Sequence, residues 1–405
     1  MSPSEFDDDA RDRPDATTLD PAAARRLVRR AAALALAGFA AGVGAFAADR
    51  QRFAHSYLTA FLFVVTTGLG ALLFVLVQHL TNAGWSAAPR RHMEWLSGLL
   101  PLSALLFVPV AALAHDVYHL PTGASSLAGD ALGPRQSYLR PGFFFLRAGV
   151  FLIVWSALAW WFAARSREQD ETLDADLTRR MRIASAPATL ALAVTGTFAA
   201  FDWIMSLQPR WHSTIFGAYV CAGSVTSALS ALALVTIALQ RHGLLRHVSN
   251  VEHRHDIGKL LFGFTVFWAY VAFSQYFLIW YAAIPEETIF YELRWQGSWK
   301  TVSLLLLLGH FVVPFALLLA RGAKRSALVL GTAAALLLVL HYVDLYWLVM
   351  PVLDVRGAHP SLVDLGALLG PVGLAALVVA RAAARGPLFA TGDPRLGEAL
   401  GLENP

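Results

Sequence analysis

The chain has 405 residues, of which 57% are hydrophobic and only 15% charged, and its mean hydropathy is +0.53. A soluble domain carries about 25% charged residues, so most of this chain is expected to face lipid or other helices. The single cysteine, Cys221, excludes a disulfide framework, an iron–sulfur cluster held by this chain alone and a cysteine-based zinc site. No C-x-x-C-H is present to attach a c-type haem, and no metal-ligand set is read. The formal charge of +4 and the pI near 9.3 do not indicate a nucleic-acid surface, because the arginines stand at the ends of apolar runs.

In chain order, residues 1–24 are polar and acidic and read as a disordered cytoplasmic tail. Ten stretches then approach the roughly 20 apolar residues that a spanning helix requires: 31–48, 57–79, 95–114, 141–164, 184–206, 213–240, 258–284, 299–320, 326–350 and 361–381. None alternates with period two, so a β-barrel is not expected, and lipid then leaves only helices. The first run, with its arginine-rich flank and Ala-Phe-Ala before Asp49, also fits a cleavable signal peptide, although the long polar segment before it favours a retained span. Residues 25–385 form the helical membrane domain, and 386–405 read as an extended cytoplasmic tail. Lys and Arg divide 20 against 8 between alternate loops, with Arg25, Arg90, Arg179, Arg241, Arg321 and Arg385 on the richer side. The positive-inside rule places that side, and both termini, in the cytoplasm. Spans two to five and six to nine are candidates for two similar bundles.

Ionisable groups at bilayer depth cost at least about 2.5–3.5 kcal/mol and tend to face the bundle interior. His310 lies mid-way along span eight; His341 and Asp344 lie at similar depth on span nine. An i, i+3 pair shares a helix face, so Asp344 is expected to accept a hydrogen bond from His341 or to pass a proton with it. Three readings stay open: interhelical hydrogen-bond glue, a proton path or quinone-facing site, and paired axial ligation of one b-type haem. Asp202, near the outer end of span five, is either paired with Arg210 or proton-handling. Arg147 is expected to snorkel. His115-Asp116-x-Tyr118-His119, outside span three, is solvated polarity or a metal site. Gln275 and Tyr276 sit among flat aromatics, which line a quinone pocket or simply pack, and His115 and Asp116 are further candidates for that pocket. On the inner side, His79 is a candidate proton entry, and Glu94 follows Arg90-Arg91 as a local ion pair. Asp364 lies toward the outer side of span ten. No Walker A loop, no H-E-x-x-H and no readable Ser-His-Asp arrangement is present.

Several stretches together resemble one family: Ser56-Tyr57-Leu58 through Gln78-His79-Leu80-Thr81 to Arg90-Arg91-x-x-Glu94; Phe201-Asp202-Trp203-Ile204-Met205-Ser206-Leu207; Ser213-Thr214-Ile215-Phe216-Gly217; His255-Asp256-Ile257-Gly258-Lys259; Phe273 through Trp280-Tyr281 to Pro285-Glu286-Glu287; His341-x-x-Asp344-Leu345-Tyr346-Trp347; and Gly392-Asp393-Pro394-Arg395-Leu396. From about residue 50 onward the chain resembles the F-type, second quinone-binding, membrane subunit of bacterial alternative complex III, a quinol:cytochrome c oxidoreductase of the inner membrane. The resemblance implies an NrfD-like, polysulfide-reductase-type fold: an all-α membrane protein with two four-helix bundles plus flanking helices. It also implies partners: a paralogous NrfD-like membrane subunit, an iron–sulfur subunit and multihaem cytochrome c subunits, which hold the electron carriers. This chain would contribute quinone interaction, proton conduction or both, with Asp202, His310, His341 and Asp344 moving protons. A structural scaffold and a proton-coupled secondary transporter are the competing readings; no pair of Gly/Pro-broken helices at matching positions favours the transporter.

Overall fold

The computed structural model describes residues 17–118, 120, 137–209, 211–245 and 248–403. Among them there is no strand, and ten helices are long and apolar enough to cross a membrane. These are α1 (Pro21–Ala48), α2 (Arg50–Leu80), α3 (Arg90–Ala112), α4 (Pro141–Thr172), α5 (Ala175–Leu207), α6 (Phe216–Arg241), α7 (Val251–Ala282), α8 (Trp299–Leu319), α9 (Ala327–Val352) and α10 (Leu362–Arg385). The protein is an all-α, multi-pass membrane protein. With ten crossings, the start of α1 and the end of α10 lie on one face, the terminal face.

Helices α2 to α5 close a first four-helix bundle, and α6 to α9 close a second. The most buried windows belong to α2 and α6, each 78% buried against at most 50% elsewhere, so these two form the seam. Lipid supplies no hydrophobic drive between helices, and close backbone approach has to hold the seam. Gly70 provides it: a Cβ there would lie 2.0 Å from the Ser224 carbonyl oxygen. The flanking pair is α1 with α10, which docks on α2. Its contact again runs through small residues, since a Cβ on Gly366 would meet Ala45 Cβ at 2.8 Å.

Both tails depart from the sequence reading. The tail assigned to residues 1–24 ends earlier: Asp20 caps α1 by accepting from the Ala22 and Ala23 amides, and Pro21 opens the helix. Residues 1–16 of that tail lie outside the described residues. The C-terminal segment is not extended. It folds back across the terminal face, burying Leu388, Phe389 and Ala399 in a small cluster with Ala87, Trp95 and Leu245. Asp393, buried against Arg90 and Arg395, makes this possible by supplying a countercharge that a disordered tail would leave in water.

Candidate functional site

The second bundle brings the mid-membrane candidates together. His310 sits in the segment Leu306–Val312, where α8 widens into a π-helical turn. Such turns displace a side chain from the regular helical register and recur at functional sites. The His310 ring stands edge-on to Trp268 of α7, with centroids 4.1 Å apart, and neither ring nitrogen has a hydrogen-bond partner among the described residues. Trp268 Nε1 donates to Asp344 Oδ2 at 3.3 Å, and the Tyr219 hydroxyl of α6 donates to Asp344 Oδ1. Across the seam, His341 Nε2 shares a 2.9 Å hydrogen bond with Thr66 Oγ1 of α2, leaving Nδ1 unpartnered. Gly223 makes room for that imidazole; a Cβ there would lie 3.1 Å from it.

The expected His341–Asp344 hydrogen bond is therefore replaced. Although i and i+3 share a face, His341 reaches toward α2 while Asp344 reaches toward α6 and α7, each finding a closer partner on another helix. The two histidines meet different partners: Thr66 shares a hydrogen bond with one nitrogen of His341, and Trp268 packs on His310.

Charge pairing sets Asp344 apart. The other fully buried acids of the described residues each meet a basic group: Asp202 with Arg147, Asp364 with Arg52, Asp393 with Arg90, Glu94 with Arg91, Glu252 with Arg325 and Asp256 with Lys259. Asp344, 2% exposed, has only neutral donors in contact and no salt bridge. Nearby Arg294, in the loop between α7 and α8, donates instead to the Trp347 and Leu348 carbonyls at 3.1 and 2.9 Å. Burial pushes the Arg294 guanidinium down to about 9, against the pull of Tyr291, Tyr219 and Asp344, so it remains a cation at neutral pH.

Asp202 belongs to a different environment. Arg147 grips it with two bonds, Nε to Oδ2 at 2.7 Å and Nη2 to Oδ1 at 3.0 Å. The expected snorkelling of Arg147 is thus corrected: the guanidinium turns inward to neutralise a carboxylate that is fully buried. Arg210, the partner expected from sequence, lies outside the described residues. Beneath this pair, Phe61, Phe107, Trp155 and Trp203 pack at 5.2–5.6 Å, with Trp203 edge to face on Phe61 and Trp155 and the Phe107 contacts tilted.

Gln275 and Tyr276, adjacent in sequence, part company. Gln275 is 3% exposed with both amide atoms engaged, Oε1 accepting from Ser213 Oγ and Nε2 donating to Tyr291, each at 3.1 Å. Tyr276 is exposed and packs edge-on to Tyr291. His115 is exposed, and Asp116 accepts from Arg50 at 3.0 Å. Among the described residues neither of them bonds to Gln275 or Tyr276; His119 lies outside the described residues. Asp364 anchors a fork: it accepts from Arg52 Nη2 at 2.8 Å and from Ser56 Oγ at 2.6 Å, while Asp354 takes Arg52 Nη1 at 3.0 Å.

On the terminal face, Glu94 does pair locally, with Arg91 at 3.1 Å and Arg90 at 3.5 Å. The network then extends beyond the helix to Asp393, Arg395 and Asp170. His79, 1% exposed, faces Phe162 of α4 at 5.7 Å. Tyr219, Trp268, Thr66 and Arg294 were not singled out in the sequence, because a hydroxyl, an indole or a loop arginine in an aromatic-rich membrane chain carries no local mark of its partner.

No protein-family model matches the chain, and no curated protein matches it in sequence.

Proposed function

We propose that this chain is an integral subunit of a respiratory quinol oxidoreductase complex of the bacterial inner membrane, and that it handles protons without a redox centre of its own. The observation that carries the reading is Asp344: a carboxyl at membrane depth whose charge no cation fixes, beside two imidazoles with free nitrogens. A fixed ion pair holds a charge in place; an acid with neutral donors can change its protonation state and is suited to relay work. Quinol oxidation releases two electrons and two protons. In this reading the electrons pass to the iron–sulfur and multihaem partners, and general bases on the membrane subunits take the protons. Asp344, His310 and His341 form the relay, and Tyr219 and Trp268 position the carboxyl. Asp202, matched by Arg147, serves as a structural anchor on the opposite face. The motif resemblance supplies the partners and the quinol chemistry, and the buried cluster supplies the chemical capacity.

The test is Asp344→Asn in the intact complex, with proton release and quinol oxidation measured together. Proton-coupled turnover is expected to fall at least tenfold with all subunits still co-purifying. Full turnover with normal proton output removes the assigned role, and a complex that carries no quinol activity in any form removes the respiratory reading.

A further inference from the structure

A second polar region lies apart from that cluster, at the terminal face of the first bundle. His79 at the end of α2 is 1% exposed, and neither ring nitrogen has a hydrogen-bond partner among the described residues. The same holds for Gln78 Oε1 beside it and for Ser166 Oγ on α4. Glu94 meets Arg90 and Arg91 as ion pairs, but neither carboxylate oxygen has an aligned hydrogen bond. Buried polar groups are nearly always satisfied, by protein or by ordered water. Each one left bare costs about 1–3 kcal/mol, so a cluster of them marks a place where water belongs.

Two walls bound this layer. Toward the membrane centre stand Phe162, whose ring lies 5.7 Å from that of His79, and the buried apolar side chains Leu72, Val75 and Leu76 of the preceding turns of α2. Toward the terminal face stands the segment 386–403, which is held by the burial of Leu388, Phe389 and Ala399 and by a set of polar ties. Asp393 binds Arg90 at 2.6 Å, Arg395 binds Asn82 at 3.0 Å, and the Gly392 amide donates to Asp170 at 3.1 Å. At its far end the Leu402 carbonyl accepts from Asn250 at 3.1 Å, at the start of α7. Gly392 is needed for the close fit, since a Cβ there would lie 2.0 Å from the Gln169 carbonyl. Ion pairs and amide contacts exchange readily for water, whereas the apolar core beneath His79 does not, so the terminal-face wall is the one that can yield.

We propose that the C-terminal segment 386–403 is a lid that opens to admit water from the terminal face to His79, making a gated hydration site that ends at the apolar core around Phe162. When closed, the lid leaves His79, Gln78, Glu94 and Ser166 under-bonded; when open, water completes them. The two states differ by a few polar exchanges and by the exposure of the small apolar cluster around Leu388, Phe389 and Ala399, a limited change of the kind a reversible device requires. This inference rests on the geometry of the first bundle and stands apart from the relay at Asp344.

Geometry also supplies a lock. A Cβ on Gly84 would lie 3.0 Å from Glu398 Cβ, within a small shift of the roughly 3.8 Å spacing of a disulfide. The experiment uses full-length chain in membrane vesicles of both orientations, with Cys221→Ser as background and His79→Cys as reporter. A sulfonated, membrane-impermeant maleimide is the probe, read at position 79 by mass spectrometry. Labelling is expected from the terminal face only. Adding Gly84→Cys and Glu398→Cys and oxidising them should slow it at least tenfold, and prior reduction should restore it. Asp393→Asn should accelerate it. Labelling from the opposite face, a rate indifferent to the lock, or no labelling even with the lock reduced would each overturn the proposal.

Discussion

The two bundles share a seam and bury similar amounts of polar chemistry, yet they treat it in opposite ways. The first bundle keeps its charges at the two ends and fills its middle with aromatic rings. Arg147 neutralises Asp202 at one end, the Arg90, Arg91 and Glu94 layer closes the other, and rings of Phe61, Phe107, Trp155 and Trp203 lie between. The second bundle gives its buried acid Asp344 a phenol and an indole instead of a cation in contact, and loosens the neighbouring helix into a π turn at His310. Matched charges at the ends make an anchor. An unmatched buried acid makes a group that can respond to a proton.

The largest expected effect tests the anchor. Arg147→Ala leaves Asp202 buried without its partner and should cost about 3–5 kcal/mol, read as a lower unfolding temperature of the purified complex. The double variant Arg147→Leu/Asp202→Leu removes both charges and should recover most of that loss. If the single variant is as stable as the parent, the first bundle is not anchored in this way. Next comes the relay. Tyr219→Phe removes one of the two neutral donors to Asp344; turnover should fall about tenfold, equivalent to about 1.4 kcal/mol in the barrier, while stability moves by only about 1 kcal/mol. Equal losses of stability and turnover would erase the distinction between the bundles.

A smaller effect concerns the lid. Burial alone would raise the Asp393 carboxyl, but Arg90 and Arg395 outweigh it and hold it well below the usual carboxylate range. A depressed carboxyl contributes its stability fully above the unfolded value, near 3.9, and loses it as pH falls through the folded one. The mobility of a spin label at Gly401→Cys, in the Cys221→Ser background, should therefore be constant from about pH 8 to 5 and rise only below about pH 4. A transition near neutral pH would assign the docking to another group. The smallest effect is expected at His115, which is exposed. His115→Ala should leave stability within about 0.5 kcal/mol and turnover unchanged; a clear loss of turnover would restore the outer loop to the functional site.

Topology was legible because lipid leaves a coarse and repeated mark. Ten apolar runs became ten helices, and interior acids stood out against them. The partners of those acids were not legible. Arg147 looked like an interfacial cation because nothing local shows that α4 turns it toward α5, 55 residues along the chain. Tyr219 and Asp344 are 125 residues apart, and only the seating of α6 beside α9 joins them. The C-terminal segment looked extended because its Pro, Gly and charged residues lack periodicity. Its order comes from the Arg90 countercharge on α3, from hydrogen bonds to Asp170 on α4 and to Asn82 just past α2, and from the apolar cluster that takes Leu388, Phe389 and Ala399.

The sequence by itself determined that this protein is a helical membrane protein, how many times it crosses and which ionisable groups lie within its apolar runs. Those follow from transfer free energy, which each residue carries with it wherever it sits. Tertiary structure alone decided which of those groups are matched and which are not: Asp202 held by a cation, Asp344 held by neutral donors, and His79, beneath a folded-back tail, without a hydrogen-bond partner among the described residues. Pairing depends on distances and directions between helices far apart in the chain, and no property of a single residue encodes them.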